Sequence, residues 1–211
     1  MNRNRLVKKL LFFFLKFIIV YFILMLPPFK KAYADFFKSQ GEWWFGEFGE
    51  KGVVLFREPE DKSNKDAMLD IILLNSQSLA GAKRAGQSQA VINDYGTVTC
   101  NWYSYMLLAY LIALVAAVPV GWKRKLFALA GGLTLAYVYM VLMMRVFLLH
   151  WFDKYSTLEV LRLEGFAKSA VEIAYPVMVL NPGTLVFVAL LIGAVLIIRK
   201  GDWNKLTETA S

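Results

Sequence analysis

Cys100 and His150 are the chain's single cysteine and single histidine, and Arg145 stands inside an apolar run, MMRVFLLHW. These are residue types for thiol chemistry. A guanidinium beside a thiol favours the nucleophilic thiolate and can stabilise a developing oxyanion, and an imidazole can serve as general base. Spacing separates the three. His150 follows Arg145 by five positions, about 140° around a helix, so the two do not share a face. Cys100 directly precedes one apolar run, whereas Arg145 lies about 8 Å from the outer end of the next, which brings thiol and guanidinium to similar depth. Each residue also has a structural use. Cysteine serves as a small buried hydrophobe. Arg145 can snorkel to an interface, or clamp segments together by pairing with Glu172, Glu164 or Asp153. His150, beside Trp151 and Phe152, suits an interface without any chemical role. One cysteine and one histidine make no metal-ligand cluster, and no glycine-rich phosphate loop is present, so neither metal nor cofactor is expected.

The elements that must position these residues are apolar. Of 211 residues, 58% are hydrophobic and 19% charged, against about 45–50% and roughly a quarter in soluble domains. Four runs approach the length of about 17–25 residues that a hydrocarbon core requires. They are Leu10–Leu26, Trp102–Trp122, Leu126–Trp151 and Thr184–Ile198, the last lengthened backward through VMVLNP. The expected fold is therefore a mainly α membrane protein of four transmembrane helices. Within these runs, Gly131-Gly132 permits close helix approach and Pro119 is tolerated near a helix end. Lys16 is close enough to the inner end to snorkel.

Charge orients the bundle. Arg3, Arg5, Lys8 and Lys9 precede the first run; Lys123, Arg124 and Lys125 fill the turn between the second and third; Arg199, Lys200 and Lys205 follow the fourth. The positive-inside rule puts residues 1–9, the WKRK turn and the tail 199–211 in the cytoplasm of a bacterial-type inner membrane. The outer segments, 27–101 and 152–183, carry nine Lys/Arg against ten Asp/Glu and three against four. The net charge of +8 thus meets anionic headgroups rather than nucleic acid. The N-terminus also resembles a secretory signal ending at Ala32-Tyr33-Ala34, but Lys16, the length of the run and the intervening PPFKK favour an uncleaved anchor.

Residues 27–101 are expected to form an extracytoplasmic insertion. Its start, FKKAYADFFKSQGEWWFGEF, reads as an interfacial helix whose Trp43 and Trp44, with Trp102 and Trp151 elsewhere, mark the membrane–water boundary; carbohydrate stacking is the rival use of such aromatics. GVVLF (52–56), AMLDIILLN (67–75) and QAVINDYGTVTC (89–100) read as three strands of a small antiparallel sheet. AGAKRAGQS reads as a loop tip with Lys83 and Arg84 solvated. In 155–183, Leu158, Leu161, Phe166, Ala170, Ile173 and Ala174 approximate one helical stripe, ended by Pro176 and Pro182.

VTCNWYSYMLL with Cys100, the short basic turn WKRKL, and MMRVFLL with Arg145 together resemble the exosortase/archaeosortase family of membrane cysteine transpeptidase-like proteins, over Thr97 to Ile198. That resemblance implies a Cys at the outer start of one span, an Arg late in the next and a His before a later one. Here the histidine available is His150, on the third run itself. The expected role is assembly, anchoring or recognition of another membrane or exported protein at the outer face. The alternative is an exosortase-like cysteine transpeptidase or peptidase using Cys100, Arg145 and His150 on a membrane-anchored tail. A transporter is disfavoured, because no carboxylate falls inside a run.

Overall fold

The computed structural model describes residues 3–61, 63–64, 66–84 and 95–197. In chain order these form helices α1 (Arg3–Leu24) and α2 (Pro27–Phe45), strands β1 (Glu47–Phe48), β2 (Gly52–Arg57) and β3 (Ala67–Asn75), and helix α3 (Ser76–Arg84). Strand β4 (Tyr95–Asn101) and helices α4 (Tyr103–Ala117) and α5 (Trp122–Lys154) follow. A 3-10 turn (Ser156–Leu158), α6 (Gly165–Tyr175), a π-helical turn (Pro176–Leu180) and α7 (Pro182–Ile197) complete the fold. The protein is mostly helical, 71%, with one small antiparallel sheet. It divides into two units, one of helices alone and one containing the sheet.

The helical unit comprises α1, α4, α7 and α5 as far as Val141. Helix α4 is apolar all round, a composition that requires cover on every side. Leu107, Leu111, Ala113 and Val115 are accordingly buried. Tyr110 of α4 stacks on Tyr21 and Phe17 of α1, with centroids 4.9 and 6.1 Å apart. Tyr105 donates its hydroxyl to the Leu24 carbonyl. Close approach comes from glycine. Gly132 of α5 lies against Leu111, and a Cβ on Gly193 of α7 would stand 2.4 Å from Leu114 Cδ2. The ammonium of Lys125 donates to the Ala116 carbonyl at 2.6 Å, satisfying an acceptor at the end of α4. The outward faces of α1, α5 and α7 remain apolar, with Leu11, Phe12, Phe22, Phe127, Phe187 and Val195 exposed.

Helix α5 has 33 residues, about 50 Å at 1.5 Å per residue, and is by itself long and apolar enough to cross a membrane. Among the described residues four such helices are not seen. The pairs α1 with α2, and α6 through the π-turn with α7, meet the requirement only when each is joined across a sharp bend, which makes up to three crossings. The reasons are local. Lys8 and Lys9 leave only Leu10–Leu24 of α1 apolar, and Pro27-Pro28 starts a new helix at its N-terminus, where proline is tolerated. Helix α4 is apolar but has 15 residues, stopping just before Pro119.

The second unit is a four-stranded antiparallel meander, β1-β2-β3-β4. All nine residues of β3 are buried, so this central strand is covered on both faces. One face presents Gly52, Val54 and Phe56 of β2 and Gly96, Val98 and Cys100 of β4, which alternate buried with more exposed neighbours. Phe37 of α2 meets Phe56 edge-on at 6.4 Å, and Gly41 of α2 lies so close that a Cβ there would be 2.5 Å from that ring. Phe152 of α5 stacks on Phe48 at 5.1 Å and approaches Gly52, while Tyr155 covers Gly96. On the opposite face Leu79 of α3 packs with Val53 and Leu55 over Ile72 and Leu74.

Several boundaries differ from those read in the sequence. A two-residue strand, β1, adds a fourth to the three expected. The third expected strand, 89–100, is observed from Tyr95; residues 89–94 lie outside the described residues. The segment read as a loop around Lys83 and Arg84 is the end of α3, and residues 85–89 are likewise outside the described ones. Helix α3 forms because Asn75 accepts from the Gln77 amide at 2.8 Å, an N-cap bond, and Leu79 finds apolar cover. The helix expected to begin near Leu158 begins only at Gly165, since Leu158 belongs to the 3-10 turn and is buried. Pro176 opens the π-turn instead of ending the helical path.

Candidate functional site

Around the end of α5 the chain folds back on itself in a way that its polar side chains explain. After the 3-10 turn, Glu159 takes a left-handed conformation at φ 50°, and Gly165 does so at φ 56° as it enters α6. Between them an irregular strap, residues 160–164, is tied to the helix end: Asp153 Oδ1 accepts the Leu163 amide at 2.7 Å. The turn itself is fixed by Asn75, whose Nδ2 donates to the Leu158 carbonyl at 2.8 Å. Two adjoining clefts result, of about 610 and 290 Å³, sharing Asp153, Leu163 and Lys168. The larger is lined by Glu159 and Arg162 together with Val160 and Leu161; the smaller reaches His150, Lys154 and Glu172. Three carboxyl and three Lys/Arg side chains thus face a space whose walls are partly aliphatic. Such a lining offers donors and acceptors of both signs, which suits a polypeptide better than a phosphate or a polyanion.

Below the smaller cleft is an aromatic cluster that centres on Tyr175. The His150 ring stacks on Tyr175, with centroids 3.8 Å apart and planes 11° from parallel. Trp151 Nε1 donates to the Tyr175 hydroxyl at 3.1 Å, and the ring edge of Trp151 meets His150 at 5.6 Å. Phe147 packs beside them, and Lys154 places its ammonium 4.4 Å from the Trp151 ring. Tyr175 also lies within electrostatic range of the Cys100 thiol. His150 thus contacts Tyr175 directly, whereas Cys100 acts on it only through its electrostatic field.

Arg145 does not join them. Met143, Met144, Phe147 and Leu148 occupy the buried side of this part of α5, and Arg145 is exposed. Among the described residues no ion pair or hydrogen bond links it to Glu172, Glu164 or Asp153; Asp153 is instead committed to the Leu163 amide, and Glu172 is itself exposed. Cys100 is buried opposite Leu69 in the sheet register, where its thiol makes a long contact of 3.8 Å to the Asn101 carbonyl. Burial pushes the thiol pKa up to about 12, opposite in direction to thiolate activation. At neutral pH the Cys100 thiol of this fold is protonated.

The tryptophans divide. Trp43 is 73% exposed and meets Trp44 edge-on at 4.7 Å, both at the end of α2. Trp102 and Trp151 are half-buried, and Trp151 faces the protein through Tyr175. Neither Tyr175 nor Lys168 is singled out in the sequence, where Asp153 figures only as a possible partner of Arg145. Tyr175 reads there as one more aromatic in an apolar stretch, and the Asp153–Leu163 bond involves a backbone donor that no motif marks.

Among the described residues no three His, Cys, Asp or Glu side chains are grouped to hold a metal ion. No family model, no curated protein and no solved structure matches the chain.

Proposed function

We propose that this chain is a multi-pass protein of a bacterial-type inner membrane, with both termini cytoplasmic. Its sheet-containing unit recognises a membrane-anchored or exported protein at the outer face. The observation that carries the reading is the mixed-charge cleft formed by the strap over the end of α5. Lys168 and Arg162 provide cations, Glu159 and Glu172 acceptors, and Val160 and Leu161 apolar contact, which is the chemistry of a polypeptide-binding surface. The membrane assignment rests on α5 and on the apolar exterior of α1, α5 and α7 around a buried α4, since soluble monomers seldom expose contiguous apolar surface of that kind. Four crossings require α4, with 15 residues, to span by drawing on Trp102 and the flanking 118–122 segment.

The test is a photoreactive amino acid at Leu161 in the full chain, irradiated in cells. A discrete adduct is expected, and it should be lost when Lys168→Glu reverses charge at the cleft. An adduct indifferent to Lys168→Glu, or none, sinks the assignment. A cysteine at Ser211 that reacts with an impermeant reagent from outside the cell would reverse the orientation.

A second reading keeps the thiol chemistry implied by the exosortase-like layout. It is favoured by the stacking of His150 on Tyr175, a tyrosine within electrostatic range of Cys100. In that reading a substrate-induced opening exposes Cys100, lowers its pKa and lets His150 take the proton. Full function of Cys100→Ala in cells would remove it.

A further inference from the structure

Helix α6 has three sides. Val171 and Tyr175 are buried against the protein; Lys168 and Glu172 flank them at the clefts. Opposite the buried pair runs a stripe of Phe166, Ala170 and Ile173, spaced four and three residues apart as one side of an α-helix requires, and the π-turn continues it with Val177 and Leu180. It is open: Phe166 is 89% exposed, Ile173 70%, and Val177 and Leu180 at least half. What covers it follows from chain length and charge. Helix α7 has 16 residues, about 24 Å, which is short of a hydrocarbon core of about 30 Å. Yet the uncharged run does not begin at α7. No charged residue occurs from Ile173 to Ile198, so the second half of α6 and the π-turn belong to the same uncharged stretch, which they continue across a sharp bend from α7 rather than lengthening that helix. The charged residues of α6 fall beside its buried pair, at the clefts, and none on the stripe, an arrangement that hydrocarbon requires and water does not.

We propose that α6 and the π-turn are seated in the outer leaflet, with the stripe from Phe166 to Leu180 among phospholipid acyl chains. The Lys168 and Glu172 side of the helix stays at the aqueous surface. The inference rests on the membrane reading above and deepens it: a cleft edged by Lys168 and Glu172 then opens at the lipid surface, where a membrane-anchored partner would present its juxtamembrane segment.

Single spin labels test this, because Cys100 is buried and Cys100→Ala gives a background free of native thiol. Labels at Phe166→Cys, Ile173→Cys and Val177→Cys are compared with Lys168→Cys and with Phe187→Cys on the exposed face of α7. The full chain is held in phosphatidylethanolamine/phosphatidylglycerol nanodiscs. The ratio of oxygen to polar nickel-chelate accessibility should be within about twofold of the Phe187 site at all three stripe positions, and at least about threefold above that at Lys168, as depth in a bilayer demands. Chelate-accessible stripe labels overturn the proposal in favour of a solvated face. Immobile stripe labels reached by neither relaxant overturn it in favour of a protein partner or second copy. If Phe187 itself is chelate-accessible, the membrane reading fails and this inference with it; if only the stripe sites are, the membrane reading stands and the seating of α6 does not.

Discussion

The two units use the same residue types in opposite senses. In the sheet unit, large apolar side chains turn inward. Every residue of β3 is buried, and Phe56 and Phe152 are almost completely so. In the helical unit, α4 is buried while Phe12, Phe22, Phe127 and Phe187 face out. A phenylalanine therefore says little about burial until its solvent is known. Against water, exposed apolar area costs about 25 cal/mol per Å²; against hydrocarbon that cost vanishes, and helices associate through close packing at small residues such as Gly132 and Gly193.

The sharpest way to break this contrast is to truncate one phenylalanine in each unit. Phe152→Ala removes a buried ring that stacks on Phe48 and supports Gly52, and should destabilise the detergent-solubilised protein by about 3–5 kcal/mol. Phe127→Ala, 73% exposed, should change stability by no more than about 0.5 kcal/mol. Equal effects in denaturant titrations would mean that the outward face of α5 is a protein interface.

A second contrast concerns glycine. Within a helix, replacing Gly by Ala usually stabilises by about 0.5–1 kcal/mol. Gly41→Ala should do the reverse, costing about 1–3 kcal/mol, because its methyl group would meet the Phe56 ring at 2.5 Å in a sheet core with no room to yield. A melting temperature at or above that of the parent protein would show that α2 can lift from the sheet, and that the sheet's cover is looser than its burial implies.

These contacts also show how far the sequence could be read. Strand β3 coincides residue for residue with AMLDIILLN, and β2 extends the expected strand by one, because aliphatic runs between polar turns leave little freedom. Strand β1 was illegible: two residues carry no period, and Glu47 and Phe48 pair only because β2 offers Val53 and Gly52. Helix α3 reads as loop in the sequence because SQSLAGAKR is polar, with Leu79 its one large apolar side chain; Asn75 and a tertiary seat for Leu79 decide it. The cleft was invisible for a related reason. Its shape depends on Asp153 holding a backbone amide ten residues away, and on left-handed turns at Glu159 and Gly165. Only the glycine has a sequence signal for that conformation.

Cys100 sits on the inward-turned side of the comparison, and its titration sharpens it. The thiol ionises near 9.0 in an unfolded chain and near 12 in the fold, because burial disfavours the thiolate. Its contribution is fully present below pH 9 and is lost as pH rises towards 12, since the unfolded state releases the proton first. Between pH 9 and 10 the parent protein should lose about 1 kcal/mol more stability than Cys100→Ala does over the same interval. Parallel pH profiles for the two proteins would place the thiol in a wetter setting and revive its candidacy as a nucleophile.

The smallest expected effect belongs to Arg145, and the expectation comes from the length of α5. A charge within an apolar run is costly if the whole run lies in hydrocarbon. At about 50 Å, however, α5 exceeds a core of about 30 Å by some 20 Å, or roughly thirteen residues. The helix residues from Leu142 onward belong to the sheet unit, so Arg145 stands where α5 has left the unit of outward-facing phenylalanines. An exposed guanidinium without an ion pair there contributes little, and Arg145→Gln should shift stability by no more than about 0.5 kcal/mol. Glu172→Gln should leave that value unchanged, since the two side chains make no bond. A loss of several kcal/mol in Arg145→Gln, relieved by Glu172→Gln, would instead reveal a buried pair and put this part of α5 back inside the membrane.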